Sequence, residues 1–212
     1  MRKDTLDKPL TYKKDNGDYY RVVKLAGKFI LTKEYDYWIN MNRRVTADYK
    51  TRYPSYIDMT VDEEFKDFNS FAEWCKTQVG YDQKGYVLDK DMLGTLLGIK
   101  SYCKSACIFV PQAINIFVAV RNKSVKFYTG VSYQEGCGKY IISCSQLNGK
   151  NKTLARVRCP KEGYEIYKAE KVRLAKTLAD EYKGRVDNRV IEILYNFEKY
   201  IDLFTVNPTN KE

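Results

Sequence analysis

The stretch YTGVSYQEGCGKYIISCSQLNGKNKTLARVR, residues 128–158, decides the fold. Within it, 128–133, 139–145 and 153–158 are strand candidates, in which a period of two divides each between two faces. The separators, QEGCG and QLNGKN, carry the Gly, Asn and Lys that tight hairpins use. Three antiparallel strands are therefore expected, followed by a helix over 161–183. One face of such a sheet packs on the helix and the other meets solvent. In the middle strand Tyr140, Ile142 and Cys144 suit the helix side, which turns Lys139, Ile141, Ser143 and Ser145 outward. An outward row of small polar and basic side chains can enter a DNA major groove without steric conflict. Ser132, Gln134 and Thr153 extend that candidate row, while Lys150, Lys152, Arg156 and Arg158 are placed to meet phosphates. An ordinary solvated sheet face fits the same pattern.

Working outward, a last helix is expected over 186–204, with Val186, Val190, Ile193, Leu194, Phe197 and Ile201 on one side. That stripe can bury against the preceding helix or against a second copy of the chain. Upstream, residues 19–31 read as a hairpin turning at Ala26-Gly27-Lys28. Residues 33–44 read as a helix with Tyr37, Trp38 and Met41 on one face and Arg43 and Arg44 at its end. Residues 62–78 read as one helix whose stripe of Phe65, Phe68, Phe71, Trp74 and Cys75 suits a core. Between 86 and 120 the pattern gives strands at 86–91 and 107–110, then a helix over 112–120 that Pro111 would start. A polar tail (1–17), a basic linker (121–126) and Pro208 complete the chain. The fold class is α+β. Its segments are a tail and hairpin (1–33), a ββα-containing domain (34–120), the sheet-and-helix domain (127–183) and a C-terminal helix (185–204).

Lys plus Arg total 37 against 27 for Asp plus Glu, a net charge of +10. With a pI near 9.1, a polyanion is the first partner to consider. Nineteen tyrosines sharpen that expectation, because Tyr can stack on bases or hydrogen-bond to phosphate. No apolar run approaches the ~20 residues that span a bilayer, and residues 1–18 lack a signal peptide's apolar core. A reducing cytoplasm follows as the expected location. There the six cysteines (Cys75, Cys103, Cys107, Cys137, Cys144 and Cys159) are expected as small core residues rather than disulfides. No Cys-x-x-Cys pair occurs, although Cys103 and Cys107 could join two distant thiolates around zinc. The chain contains no histidine, which excludes every mechanism that needs its imidazole as base, nucleophile or metal ligand. No cofactor and no bound metal are expected.

Gly130-Val131-Ser132, then Gly138-Lys139-Tyr140, then the third strand and a helix carrying Tyr164, Tyr167 and Lys168, resemble the APETALA-type DNA-binding domain over about residues 127–176. The resemblance implies docking of the sheet in the major groove. Here Leu154-Ala155 stands where that family has Leu-Gly, and Glu162-Gly163-Tyr164 where it has Glu-Glu-Ala. The family's large outward Arg and Trp readers are mostly Ser or Thr, which leaves the base preference open. Residues 86–120 are similar in layout to the HNH unit that precedes this domain in phage homing endonucleases. So are Tyr37-Trp38-x-x-Met41-x-x-Arg44 and 64–74, which extends the resemblance over most of 35–180.

An HNH centre needs a general-base His and metal ligands from an adjacent Asp or His and a helix His or Asn. The resemblance puts Asp89-Lys90 where that family has Asp-His, and Ala106 where it has Asn. A Lys at its ordinary pKa of about 10.4 is protonated at neutral pH and cannot be the base. Asp89 or Asp91 and Asn115 are the degenerate remnants, and loop capping is the plainer role for the two aspartates. Glu64-Phe65-Lys66 satisfies a Glu-x-Lys nuclease pattern with Asp58 upstream, but on a helix instead of a strand. The resemblance thus implies a non-enzymatic, sequence-specific binder of double-stranded DNA, acting as a repressor by occluding a promoter. The alternatives are a metal-dependent nickase with an unusual site and a protein-partner role that needs no DNA.

Overall fold

Residues 22–31 form the expected hairpin: β1 (Val22–Leu25) pairs antiparallel with β2 (Lys28–Leu31). This is seen in a computed structural model that describes residues 14, 17–25, 27–119 and 127–205. The tail, except Lys14 and Gly17, the linker 121–126 and Pro208 lie outside the described residues. The class is α+β, as expected. The chain divides into two units, residues 1–109 and 110–212.

In the first unit α1 (Lys33–Arg44) has the expected bounds, and its Trp38 indole donates to the Phe65 carbonyl at 3.0 Å. α2 (Ala47–Arg52) follows, then a single 3-10 turn (Pro54–Tyr56). The helix expected over 62–78 is broken into α3 (Glu63–Lys66) and α4 (Phe68–Thr77). Asp67 is the cause: it takes extended backbone, and its carboxylate accepts the Ser70 amide at 2.8 Å, capping α4. Both pieces still bury their aromatic stripe. Phe65, Phe71, Trp74 and Cys75 join Met41, Met59, Val61, Tyr81, Tyr102, Cys107 and Phe109 in one core. Phe68 packs separately with Tyr19 and Ala72.

Two short parallel strands, β3 (Thr60–Val61) and β5 (Ser101–Tyr102), tie that core together. β4 (Tyr86–Asp89) pairs with β6 (Ile108–Pro111). The strand expected over 86–91 is shorter, because Asp91 opens a helix, α5 (Asp91–Leu97), that the sequence pattern did not announce. Its Gly94 and Thr95 are poor helix formers, so burial of Met92 and Leu93 selects it.

The second unit takes in α6 (Gln112–Val118) and the sheet β7 (Val131–Gln134), β8 (Lys139–Ser145), β9 (Asn151–Val157), in that order and antiparallel throughout. A 3-10 turn (Glu135–Cys137) joins β7 to β8. The long helix α7 (Pro160–Tyr182) backs the sheet. Two glycines set how closely it lies. A Cβ on Gly163 of α7 would collide with the Ile142 side chain. One on Gly130, which also holds φ at 78°, would stand within the ring of Tyr167.

The last helix, expected over 186–204, breaks at Asn196 into α8 (Asn188–Tyr195), α9 (Phe197–Tyr200) and a 3-10 turn (Ile201–Leu203). Asn196 leaves helical geometry, and its amide returns to the Glu192 carbonyl to close α8. Val186, Val190, Ile193, Leu194, Phe197 and Ile201 are buried, and α8 and α9 pack on α7. The stripe therefore goes to the preceding helix. Of the cysteines, Cys75, Cys103, Cys107 and Cys144 are buried, as expected of core residues. Cys137 and Cys159 are exposed, against expectation. One sits in the turn after β7 and the other at the N-cap of α7, where the chain leaves the sheet.

Candidate nucleic-acid interface

The middle strand carries the expected alternation. Ile142 and Cys144 are buried against Tyr164, Tyr167 and Leu174 of α7, with Tyr140 packed beside them. The opposite face is assembled by register. Ser132 lies across from Ile141, which lies across from Arg156. Gln134 pairs with Lys139, Ser143 with Thr153, and Ser145 with Asn151. One face thus gathers Ser132, Gln134, Lys139, Ser143, Ser145, Thr153 and Arg156 around the apolar Ile141. Ser145 donates to Asn151 Oδ1 at 2.6 Å, an orienting contact at the tip of the hairpin.

Thr153 and Arg156 share that face only because the ladder is irregular. Residues three apart on a regular strand point to opposite sides. Between Ile142 and Ser143 the register slips so that Ala155 and Thr153 oppose consecutive residues of β8, leaving Leu154 as an extra residue. Leu154 and Ala155 both pack against the α7 core. The same bulge turns Lys152 away. It lies opposite Cys144, on the helix side, where its charge reaches Glu170 of α7. Arg173 bonds Glu170 at 2.8 Å and, with that lesser influence of Lys152, holds its carboxyl at about 2. Lys150 is exposed in the turn before β9, and Arg158 is exposed just beyond it.

Among the described residues Lys139, Lys150, Lys152, Arg156 and Arg158 form no ion pair. A cation held on a polar face without an acid partner keeps its charge available to a polyanion. Asn151 completes the face, and the sequence reading missed it. The strand was started at Thr153, so a bulge inside it left no signal in the period-2 count.

The nuclease-like remnants are placed differently. Asp89 ends β4 and is buried; its carboxylate accepts the Met92 amide at 2.8 Å, in the first turn of α5. Burial pushes its pKa up to about 6, against the opposing pull of that amide. The adjacent Lys90 is buried too. Its ammonium pairs with Asp91 and lies 5.2 Å from the Tyr56 ring centre and 5.5 Å from that of Tyr102. Ala106 is fully buried. Asn115, half-buried in α6, belongs to the second unit, whereas Asp89 and Lys90 belong to the first. Glu64 and Lys66 are helical, pairing with Lys104 and Glu63 respectively. Among the described residues no three Cys, Asp or Glu side chains gather as a metal would require. Nor is any described helix long and apolar enough to cross a membrane. Set against family models, curated proteins and solved structures, the chain matches none.

Proposed function

We propose that this chain is a sequence-specific binder of double-stranded DNA, built on the plan of a phage homing endonuclease without its histidine-dependent centre, that represses transcription by covering a promoter. The observation that supports it is the outer face of β7–β9: small polar side chains around Ile141, flanked by Lys139 and Arg156, with no acid paired to either cation among the described residues. A three-stranded sheet can lie in the major groove when its outward side chains are short. Ser132, Ser143 and Thr153 then offer hydroxyls to base edges, and Gln134, whose Oε1 accepts from the Cys137 thiol at 3.3 Å, offers its amide N–H donors. Lys139, Arg156, Lys150 and Arg158 meet phosphates, releasing counterions and supplying affinity that falls with salt. Blocking polymerase requires only position and affinity. The stripe of α8 and α9 is taken up within the chain, so a homodimer on an inverted repeat would need another surface.

Footprinting on fragmented phage genomic DNA tests the reading. A discrete protected site is expected, with affinity for it at least 10³-fold above random duplex at equal salt. Equal affinity for both overturns specificity. In the same preparation, plasmid with Mg²⁺ or Mn²⁺ is expected to stay supercoiled. Nicking that Asp89→Ala abolishes would replace the repressor with the nickase.

A further inference from the structure

A second surface, in the first unit, has its own chemistry. α1 ends on Arg43 and Arg44, α2 carries Tyr49, Lys50 and Arg52, and Tyr53 and Tyr56 follow in the next turn. The tyrosines form one cluster. The Tyr49 and Tyr53 ring centres are 4.5 Å apart, and Tyr56 meets Tyr49 edge-on at 5.3 Å. The Arg43 guanidinium lies 6.0 Å from the Tyr49 ring centre. Tyr53 rests against Tyr49 and still leaves 51% of its surface open. The nearby acids are engaged, Asp48 with Arg52 at 3.1 Å and Asp58 with Lys100 at 2.8 Å. Among the described residues neither Arg43 nor Lys50 has an ion-pair partner, although, after the Lys100 hydrogen bond, the Lys50 charge helps to lower the pKa of Asp58. Behind the cluster Arg44 donates to the Tyr102 hydroxyl at 3.1 Å, and Lys90, paired with Asp91, lies by the Tyr56 ring.

We infer that this cluster is a stacking platform for single-stranded nucleic acid, with an unpaired base on the open side of Tyr53 and the flanking phosphates on Arg43 and Lys50. An aromatic face presented beside Arg43 and Lys50, neither held in an ion pair among the described residues, suits that ligand, because every base has a π-face and every linkage a charge. A duplex keeps its bases stacked on one another and offers Tyr53 no such face. The cluster belongs to the first unit and the β7–β9 face to the second, and the inference does not depend on what that face binds.

The test is fluorescence anisotropy of labelled oligothymidylate and oligouridylate with the full-length chain, in parent and in a Lys139→Ala/Arg156→Ala background. At least one oligonucleotide is expected to bind equally well in both. Tyr53→Ala should then weaken that binding about tenfold while Tyr53→Phe preserves it. Arg43→Ala and Lys50→Ala should each flatten the salt dependence by roughly 0.7 in log–log slope. The ratio between the two oligonucleotides assigns DNA or RNA as the strand. The inference is overturned if neither oligonucleotide binds, if Tyr53→Ala binds as the parent does, or if binding disappears in the sheet background. Unaltered melting of each variant separates a lost contact from a lost fold. Absence of duplex binding by the sheet would leave all these outcomes readable.

Discussion

Lys139 and Arg156 sit on neighbouring strands of one face, and among the described residues neither has an acid to lose when truncated. Each is expected to contribute through a phosphate rather than through the fold. Lys139→Ala and Arg156→Ala should therefore weaken duplex binding and lower the log–log salt slope by about one each, with melting unchanged. Unchanged affinity in both variants would move the reading surface off this sheet. Asp89 makes a different kind of prediction. Burial raises its pKa from an ordinary 3.8 to about 6. A carboxyl with a raised folded pKa adds stability while protonated, fully below its unfolded pKa, and that addition is lost as pH rises through 6. Above that point the folded chain holds a buried carboxylate, at a cost on the order of 2–3 kcal/mol. Asp89→Asn keeps an oxygen for the Met92 amide and removes the charge. It should melt higher than the parent at about pH 7.5 and equally at about pH 4. Coincident melting curves at the higher pH would count against this account of the site.

At the scale of elements, the bulge separates residues that look equivalent in sequence. Lys152 and Arg156 are both basic and exposed, yet only Arg156 shares the outer face with Lys139. Lys152→Ala is expected to change duplex affinity by less than about twofold, well short of the loss at Arg156. Equal losses would mean that the helix side also meets DNA. The approach of α7 gives a further expectation. Gly163→Ala improves helix propensity by roughly 1 kcal/mol, but its Cβ would meet Ile142. The variant should melt lower than the parent; a higher melting temperature would show that Ile142 yields without cost.

These elements also mark what the sequence could show. α1 has its expected bounds because its apolar period runs out at Arg43 and Arg44, and β8 because Gly138 and the turn after Ser145 close its alternation. The breaks at Asp67 and Asn196 were hidden because each apolar stripe continues across its break, so periodicity alone reads one helix. α5 was hidden for the opposite reason: its seven residues are too few to show a period, and packing decides them. The outer face was legible along β8, where residues 139, 141, 143 and 145 keep an unbroken period of two. It was not legible along β9, where one extra residue shifts the count.

For the molecule as a whole, a charge of +10 without histidine admits polyanion binding and removes imidazole chemistry at every pH. The two candidate surfaces lie in different units, so their variants can be combined without sharing a core. A chain carrying Lys139→Ala, Arg156→Ala and Tyr53→Ala is expected to lose duplex and oligonucleotide binding as the separate variants predict. The bulge at Leu154 also bears on how this chain tolerates changes in length. Deleting Leu154 would let Ala155 and Thr153 oppose consecutive residues of β8 in an unbroken ladder, with the same side chains facing out. Strand length at that one position is thus decoupled from what the sheet displays, so a codon lost there leaves the outward side chains in place, where the same loss two residues earlier would rewrite them.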